Sequence, residues 1–300
     1  MIRRKEKMEK IREFDINGLP CVEITDIPCI NIFKTFDCGQ CFRFDPVSVF
    51  GNKYEYGGVA KGRYVVFGQN DERALVIYGS TKEEYFDVWK RYLALDIDYD
   101  KINLKIIMAC PTEDMQKAVS FGKGIRILRQ DMWESVCSFI ISQNNNIPRI
   151  KKIIDALCQK YGKEITFMGK TYYDFPKVEV LNEVSEDDIF ALKTGFRAKY
   201  IKDAASKISS GEIELDKIYA EADFEKCVNE LCKIKGIGLK VASCALLFGF
   251  EKTQAFPVDV WMKRALEKYF PDGIDLLALG MSAGVAQQYL FYYEKYIQNP

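Results

Sequence analysis

The stretch "LCKIKGIGLKVASC", residues 231–244, decides how the chain reads. Its apolar spacing breaks at Lys-Gly-Ile-Gly and resumes after it, which predicts a helix over Asp223–Leu231, a tight turn and a second helix over Leu239–Phe250. Such a helix-hairpin-helix, about 223–250, leaves the amides around Gly236 and Gly238 free to approach a phosphate at a helix N-terminus. A contact of that kind holds a nucleic-acid backbone without reading sequence. The turn is no phosphate P-loop, which needs four residues between its glycines and a Lys-Ser/Thr ending. Lys240 falls in the first turn of the second helix, where the macrodipole disfavours a cation. Two readings follow: the lysine binds phosphate, or it serves as a neutral amine, the nucleophile that Schiff-base chemistry needs.

Downstream, "FPVDVWMKRALEKY" starts a further helix, expected over Val258–Tyr269, with Asp259 at or near its N-cap. The hairpin helix carries the chain away by roughly 17 Å at about 1.5 Å per residue. The return of eight residues spans up to about 28 Å, so Asp259 can come back beside Lys240. A carboxylate and an amine at neighbouring helix N-termini make a plausible catalytic pair, while a purely structural cap is the plainer role for Asp259.

The rest of the composition narrows the chemistry. The 300 residues contain no histidine, which removes the serine triad and most zinc sites and leaves Lys, Asp, Glu, Cys or Tyr for any catalysis. Ten cysteines without an export signal read as reduced and mostly buried, and their spacing suits neither zinc nor an iron-sulfur cluster. "CGQC", Cys38–Cys41, has redox spacing but lies among strand-like residues, so a thiol oxidoreductase is a remote reading. No metal and no cofactor is expected. With no membrane span or secretory signal evident, the expected location is cytoplasmic, nucleoid-associated in a prokaryote.

Net charge is zero, yet the charges are segregated. Residues 144–163 carry five basic residues against one acid, 193–207 five against one, and 231–268 seven against three. If these stretches share a face, a neutral protein can hold a polyanion; otherwise they are separate solvated helix faces.

Short runs rich in Val, Ile, Phe and Tyr between Leu19 and Gly79, among them "INIFKTF", read as five or six antiparallel strands. After Ser80 or Thr81, either of which suits a helix cap, the period turns helical and stays so. Helices are expected at Asp98–Met108, Pro111–Phe121, Met132–Ser142, Ile147–Tyr161, Glu186–Leu192, Arg197–Ser209 and Ala283–Ile297, besides those above. The fold class is therefore α+β: a basic arm over 1–13 able to stay flexible, a β-rich domain over 14–105 built on an antiparallel twisted sheet, and a helical region of two subdomains over 106–300.

Taken together, "LCKIKGIGLKVASC…QAFPVDVW" resembles the lysine-bearing helix-hairpin-helix DNA glycosylases. "CGQCFRF", "ILRQDMWESVCSFIISQNNNIPRI", "TYYDFPKVEVL" and "TGFRAKYI" are similar, in the same order, to the 8-oxoguanine DNA glycosylase/AP lyases, over roughly Ile32 to Phe291. The resemblance implies a base-excision-repair enzyme that flips 8-oxoguanine, paired with cytosine, out of double-stranded DNA, excises it through a lysine Schiff base and cuts the strand by β-elimination, acting as a monomer. Lys240 would be the nucleophile and Asp259 the stabilising anion. Gly39 would accept the N7–H that distinguishes 8-oxoguanine, Cys244 and Phe291 would sandwich the base, Gln287 would read its edge, and Phe42 would lie near the pocket. Asn144 would fill the vacated stack, Arg149 and Arg197 would grip the unpaired cytosine, and Phe196 would act as wedge where a tyrosine is common. Trp261 stands where a histidine is frequent, and Cys38 and Cys41 where serines are usual. The competing expectations are a related glycosylase for another oxidised base and a non-catalytic helix-hairpin-helix DNA-binding protein.

Overall fold

A computed structural model of the protein describes residues 9–297. Six strands, β1 (Lys10–Ile16), β2 (Leu19–Thr25), β3 (Phe44–Pro46), β4 (Tyr54–Ala60), β5 (Arg63–Gln69) and β6 (Ala74–Tyr78), form one sheet in the order β1-β2-β6-β5-β4-β3. Every neighbouring pair in it is antiparallel. Alternation along the strands separates two faces. Val22 and Ile24 of β2 join Phe44, Val65, Phe67, Leu75 and Ile77 in a core with Trp89 and Tyr92, while Cys21 turns to the other face with Val66 and Tyr78.

The arm expected over 1–13 lies partly outside the described residues, and its last part is a correction: Lys10 to Glu13 belong to β1, paired with Glu23 to Thr25 and Val22 of β2. A second correction concerns "INIFKTF". It forms the helix Ile32–Asp37, with Asn31 accepting from the Lys34 amide at 3.0 Å and Ile32, Thr35 and Phe36 buried. The spacing of three to four between Ile32, Thr35 and Phe36 is helical, which outweighs their β-prone side chains. A small hairpin, β7 (Glu164–Phe167) and β8 (Lys170–Tyr173), interrupts the helical part and is absent from the sequence reading.

Helix caps lie close to where the sequence places them. Thr81 makes a capping box with Glu84, and Asp98, Thr112, Asp131 and Asn146 each accept from an amide three residues on. Met132–Ser142, Ile147–Tyr161 and Ala283–Ile297 have the expected bounds. The expected helix Glu186–Leu192 is present, its last turn widening after Ile189, and it stops where Lys193 has φ +63 and the chain kinks into the Gly195–Arg197 turn that leads into the helix Ala198–Ser209.

The helices pack in two groups. Met132–Ser142 lies on the hairpin helix Leu239–Gly249, which also meets Phe224–Cys232. Glu113–Gly122 and Val260–Tyr269 pack on the C-terminal helix Ala283–Ile297. Among the described residues no helix is long and apolar enough to cross a membrane.

Candidate active site

The hairpin turn is built on steric need at one glycine and on openness at the other. Gly236 has φ +77, and a Cβ there would overlap the Tyr200 ring. Gly238 is the residue before the helix Leu239–Gly249; it has an extended backbone, and a Cβ placed on it would meet nothing within 4 Å. No side chain caps that helix, so its first amides face outward, and Leu239 is 66% exposed. Asp203 ties the turn to the helix Ala198–Ser209, accepting from the Lys235 amide at 2.8 Å while pairing with Lys207 at 3.2 Å.

Lys240, one residue inside this helix, is half-buried and lines a cavity of about 60 Å³. Asp259, Gly39, Cys244, Gln287 and Phe291 line the same cavity, with Cys38, Phe139, Phe248, Pro257 and Gln288 completing the wall. Five segments far apart in sequence converge there: the Cys38–Cys41 loop of the β-rich part, Met132–Ser142, the hairpin helix, the Phe256–Asp259 return and the C-terminal helix. Asp259 caps the helix Val260–Tyr269, its Oδ1 accepting from the Met262 amide at 2.8 Å. One carboxylate oxygen is thereby fixed by the backbone, and the side chain still borders the cavity.

The polar groups of the cavity are poised for a ligand. Gln287 is 5% exposed, and its Oε1 has no hydrogen-bond partner, which leaves a buried acceptor unsatisfied. Gly39 has φ +82, and a Cβ there would stand 3.6 Å from the Phe291 ring, so the Gly39 backbone and Phe291 are neighbours in the cavity wall. Among the described residues no donor meets the Gly39 carbonyl. Burial pushes the Cys244 thiol up to about 11 despite nearby Lys240, so it stays a neutral, polarisable surface.

Phe42 lies near the cavity but does not line it. It is buried edge-on against Phe139 at 5.8 Å between ring centres, one ring behind the cavity wall, because the chain has already turned toward β3. The cysteines of "CGQC" are both buried, burial pushes Cys38 up to about 12, and Cys41 is raised further. This is the reverse of the lowered thiol a redox motif needs.

Asn144, Arg149 and Phe196 lie together on the outside. Asn144 is exposed at φ +46, Arg149 is exposed and reaches the Lys193 carbonyl at 3.4 Å, and Phe196 is 44% exposed. Arg197 differs from the open fork expected of it. It is 2% exposed, stacks on Phe196 at 4.4 Å, and donates to the carbonyls of Gln143, Asn144 at 3.1 Å and Thr194 at 3.1 Å. In this conformation it braces the Asn144 turn, since a buried guanidinium must satisfy its five donors and backbone carbonyls are what surrounds it. Trp261 stacks under Arg264 at 5.4 Å.

The three basic stretches adjoin one another. Arg197 bonds the first at the Asn144 carbonyl, while Tyr200 and Asp203 hold the third at Gly236 and Lys235. Tyr200 also meets Phe196 edge-on at 5.8 Å, so one helix spaces the exposed wedge from the hairpin. Neither Tyr200 nor Asp203 stands out in the sequence, as each fits an ordinary amphipathic helix. Among the described residues no cluster of three or more His, Cys, Asp or Glu could hold a metal ion.

Comparison with known proteins adds to this geometry. Residues 24–136 match the N-terminal domain of 8-oxoguanine DNA glycosylase, and residues 137–273 match the helix-hairpin-helix superfamily of base excision DNA repair proteins. An N-glycosylase/DNA lyase of Saccharomyces cerevisiae is 37% identical over 78% of this chain and 67% of its own length. An N-glycosylase/DNA lyase of Arabidopsis thaliana is 30% identical over 76% of the chain and 63% of its own. The crystal structure of Clostridium acetobutylicum 8-oxoguanine glycosylase/lyase with DNA containing cytosine opposite 8-oxoguanine superposes with a TM-score of 0.86 at 38% identity, covering 96% of this chain and 98% of that one.

Proposed function

The chain belongs to the 8-oxoguanine DNA glycosylase/lyase family of helix-hairpin-helix proteins, and from that premise we propose that it excises 8-oxoguanine opposite cytosine through a Schiff base on Lys240 and then cuts the strand. The observation that carries the reading is the convergence of Lys240, Asp259, Gly39, Cys244, Gln287 and Phe291 on one cavity.

The Lys240 amine attacks C1′ of the flipped nucleotide, and the electrons of the glycosidic bond leave with the base. Opening of the sugar gives an iminium; loss of a C2′ proton then expels the 3′ phosphate by β-elimination. Positive charge builds on the sugar before the new bond is complete, and the Asp259 carboxylate at the cavity wall stabilises it. The Gly39 carbonyl, without an internal donor, accepts the lesion's N7–H, which guanine lacks. Gln287 supplies its unpartnered Oε1 to the base edge, and Cys244 and Phe291 close on its two faces.

On the DNA side, the amides after Gly236 and Gly238 bind phosphate, Asn144 enters the vacated stack, Phe196 wedges beside it, and Arg149 grips the unpaired cytosine. Arg197 joins Arg149 when DNA displaces its carbonyl partners and until then holds Asn144 in place. The protein acts as a monomer on double-stranded DNA, in the cytoplasm and, in a prokaryote, with the nucleoid.

Borohydride trapping tests the proposal. Incubation with an 8-oxoguanine:cytosine duplex and reductant gives a covalent protein–DNA band that Lys240→Gln lacks. Base release with an intact strand and no band would reject the lysine mechanism. No release at all would point to another oxidised base or to a DNA-binding module without chemistry, and equal excision opposite adenine would reject the cytosine preference.

A further inference from the structure

Gln288 stands in the cavity wall at the point where the C-terminal helix meets the Cys38–Cys41 loop. It sits beside Gln287 on the C-terminal helix, is 2% exposed and borders the cavity. Its Nε2 donates to the Cys38 carbonyl at 2.8 Å, bridging 250 residues of sequence. A buried amide on an otherwise apolar helix face is costly unless it is bonded, so this contact is specific.

The opposite side of the loop is held by two other glutamines. Gln40 Nε2 donates at 2.8 Å to both the Thr35 and Arg126 carbonyls, and its Oε1 accepts from the Leu128 amide at 2.8 Å. Gln130 Nε2 donates to the Gln40 carbonyl at 2.7 Å. These bonds fix the loop after Gly39 to the segment 126–130. Before Gly39, the Gln288 bond ties it to the helix that carries Gln287 and Phe291, assisted at the helix's far end by Lys295 donating to the Asp37 carbonyl at 3.2 Å.

The peptide plane joining Cys38 to Gly39 is rigid, so holding the Cys38 carbonyl leaves only the Gly39 dihedrals to aim the next carbonyl. Gly39, with φ +82, is the residue whose backbone would otherwise swing most freely. We propose that Gln288 is a positioning residue for lesion recognition: its bond to the Cys38 carbonyl holds the Gly39 carbonyl at a fixed spacing from Gln287 and Phe291, and so sets preference for 8-oxoguanine. This rests on the proposed role of Gly39 and does not involve Lys240 or the sugar chemistry.

The test separates base recognition from strand cutting. Excision of 8-oxoguanine and cleavage of a preformed abasic site are measured for the full chain and for Gln288→Met, which keeps length and volume without the donor. Expected is a fall in 8-oxoguanine excision of roughly 10- to 100-fold, the range for one misaligned buried hydrogen bond, with abasic-site cleavage within about twofold of the parent, as befits a step that has no base to read. A parallel fall in both activities, or no change in either, would overturn the inference. Should Gln288→Met unfold, Gln288→Leu, which also removes the donor while keeping an apolar side chain of similar reach, is read the same way. If the unmodified chain itself releases no 8-oxoguanine, the proposed function fails; if it does and the variant matches it, only the role of Gln288 fails.

Discussion

Two glycine turns carry the proposed recognition of DNA, and they are built in opposite ways. The Cys38–Cys41 loop is buried, is held by three glutamines and leaves a carbonyl open toward the cavity. The Lys235–Gly238 turn is exposed, is braced by Tyr200 and Asp203, and leaves amides open toward solvent. An inward acceptor in a dry site discriminates between bases, because an unpaired partner there is expensive. Outward donors at a helix N-terminus grip any phosphate, because every nucleotide carries one. In the proposed function, specificity and affinity therefore belong to separate turns, and Lys240 lies between them, in the first turn of the helix that follows one and on the wall of the cavity that the other borders.

The sharpest way to break that division is Lys240→Gln. Strand cutting should fall on the order of a thousandfold or more while duplex binding holds; single-turnover kinetics beside fluorescence anisotropy would check both, and a parallel loss of binding would mean the two turns are not independent. Gly39→Ala has a smaller expected effect. The added Cβ has room at 3.6 Å from Phe291 but is strained at φ +82, so discrimination between 8-oxoguanine and guanine should drop by roughly 5- to 150-fold. Competition between the two duplexes measures it, and binding of undamaged DNA should not change.

Gly236→Ala acts on the other turn. Overlap with the Tyr200 ring and the positive φ together cost roughly 1–3 kcal/mol, visible in urea unfolding. Affinity should weaken equally for damaged and undamaged duplexes, so unequal weakening would show that the hairpin also takes part in lesion choice. The smallest effect belongs to Cys38→Ser, for which excision should be unchanged. With Cys38 raised to about 12 by burial, the thiol stays protonated and should resist iodoacetamide at neutral pH in the folded protein. Rapid alkylation detected by mass spectrometry would mean that the loop opens.

Much of this molecule could be read from the chain alone. The turn chemistry of Lys-Gly-Ile-Gly, the cap at Asp259, the helix starts near Asp98 and Asp223, and the change from strand to helix after Thr81 depend on neighbours within four residues. Local patterns therefore set the α+β order and the bounds of helices such as Ile147–Tyr161. The exceptions are instructive. Ile32–Asp37 has strand-forming side chains in helical spacing, and Lys10–Glu13 looks like a charged arm until β2 pairs with it.

Only the tertiary structure decided how the polar groups are shared out. Arg197 reads in sequence as a free fork, but its donors are taken by the Gln143, Asn144 and Thr194 carbonyls. Phe42 is adjacent in sequence to the lesion loop and lies one ring behind the cavity. Gln287 and Gln288 are neighbours with the same chemistry, yet one keeps an unsatisfied oxygen in the cavity while the other is bonded to Cys38. Spacing along the chain fixes which residues share a turn or a helix face. Which buried donor meets which acceptor depends on packing between segments up to 250 residues apart, and desolvation enforces those pairings only once the core has closed.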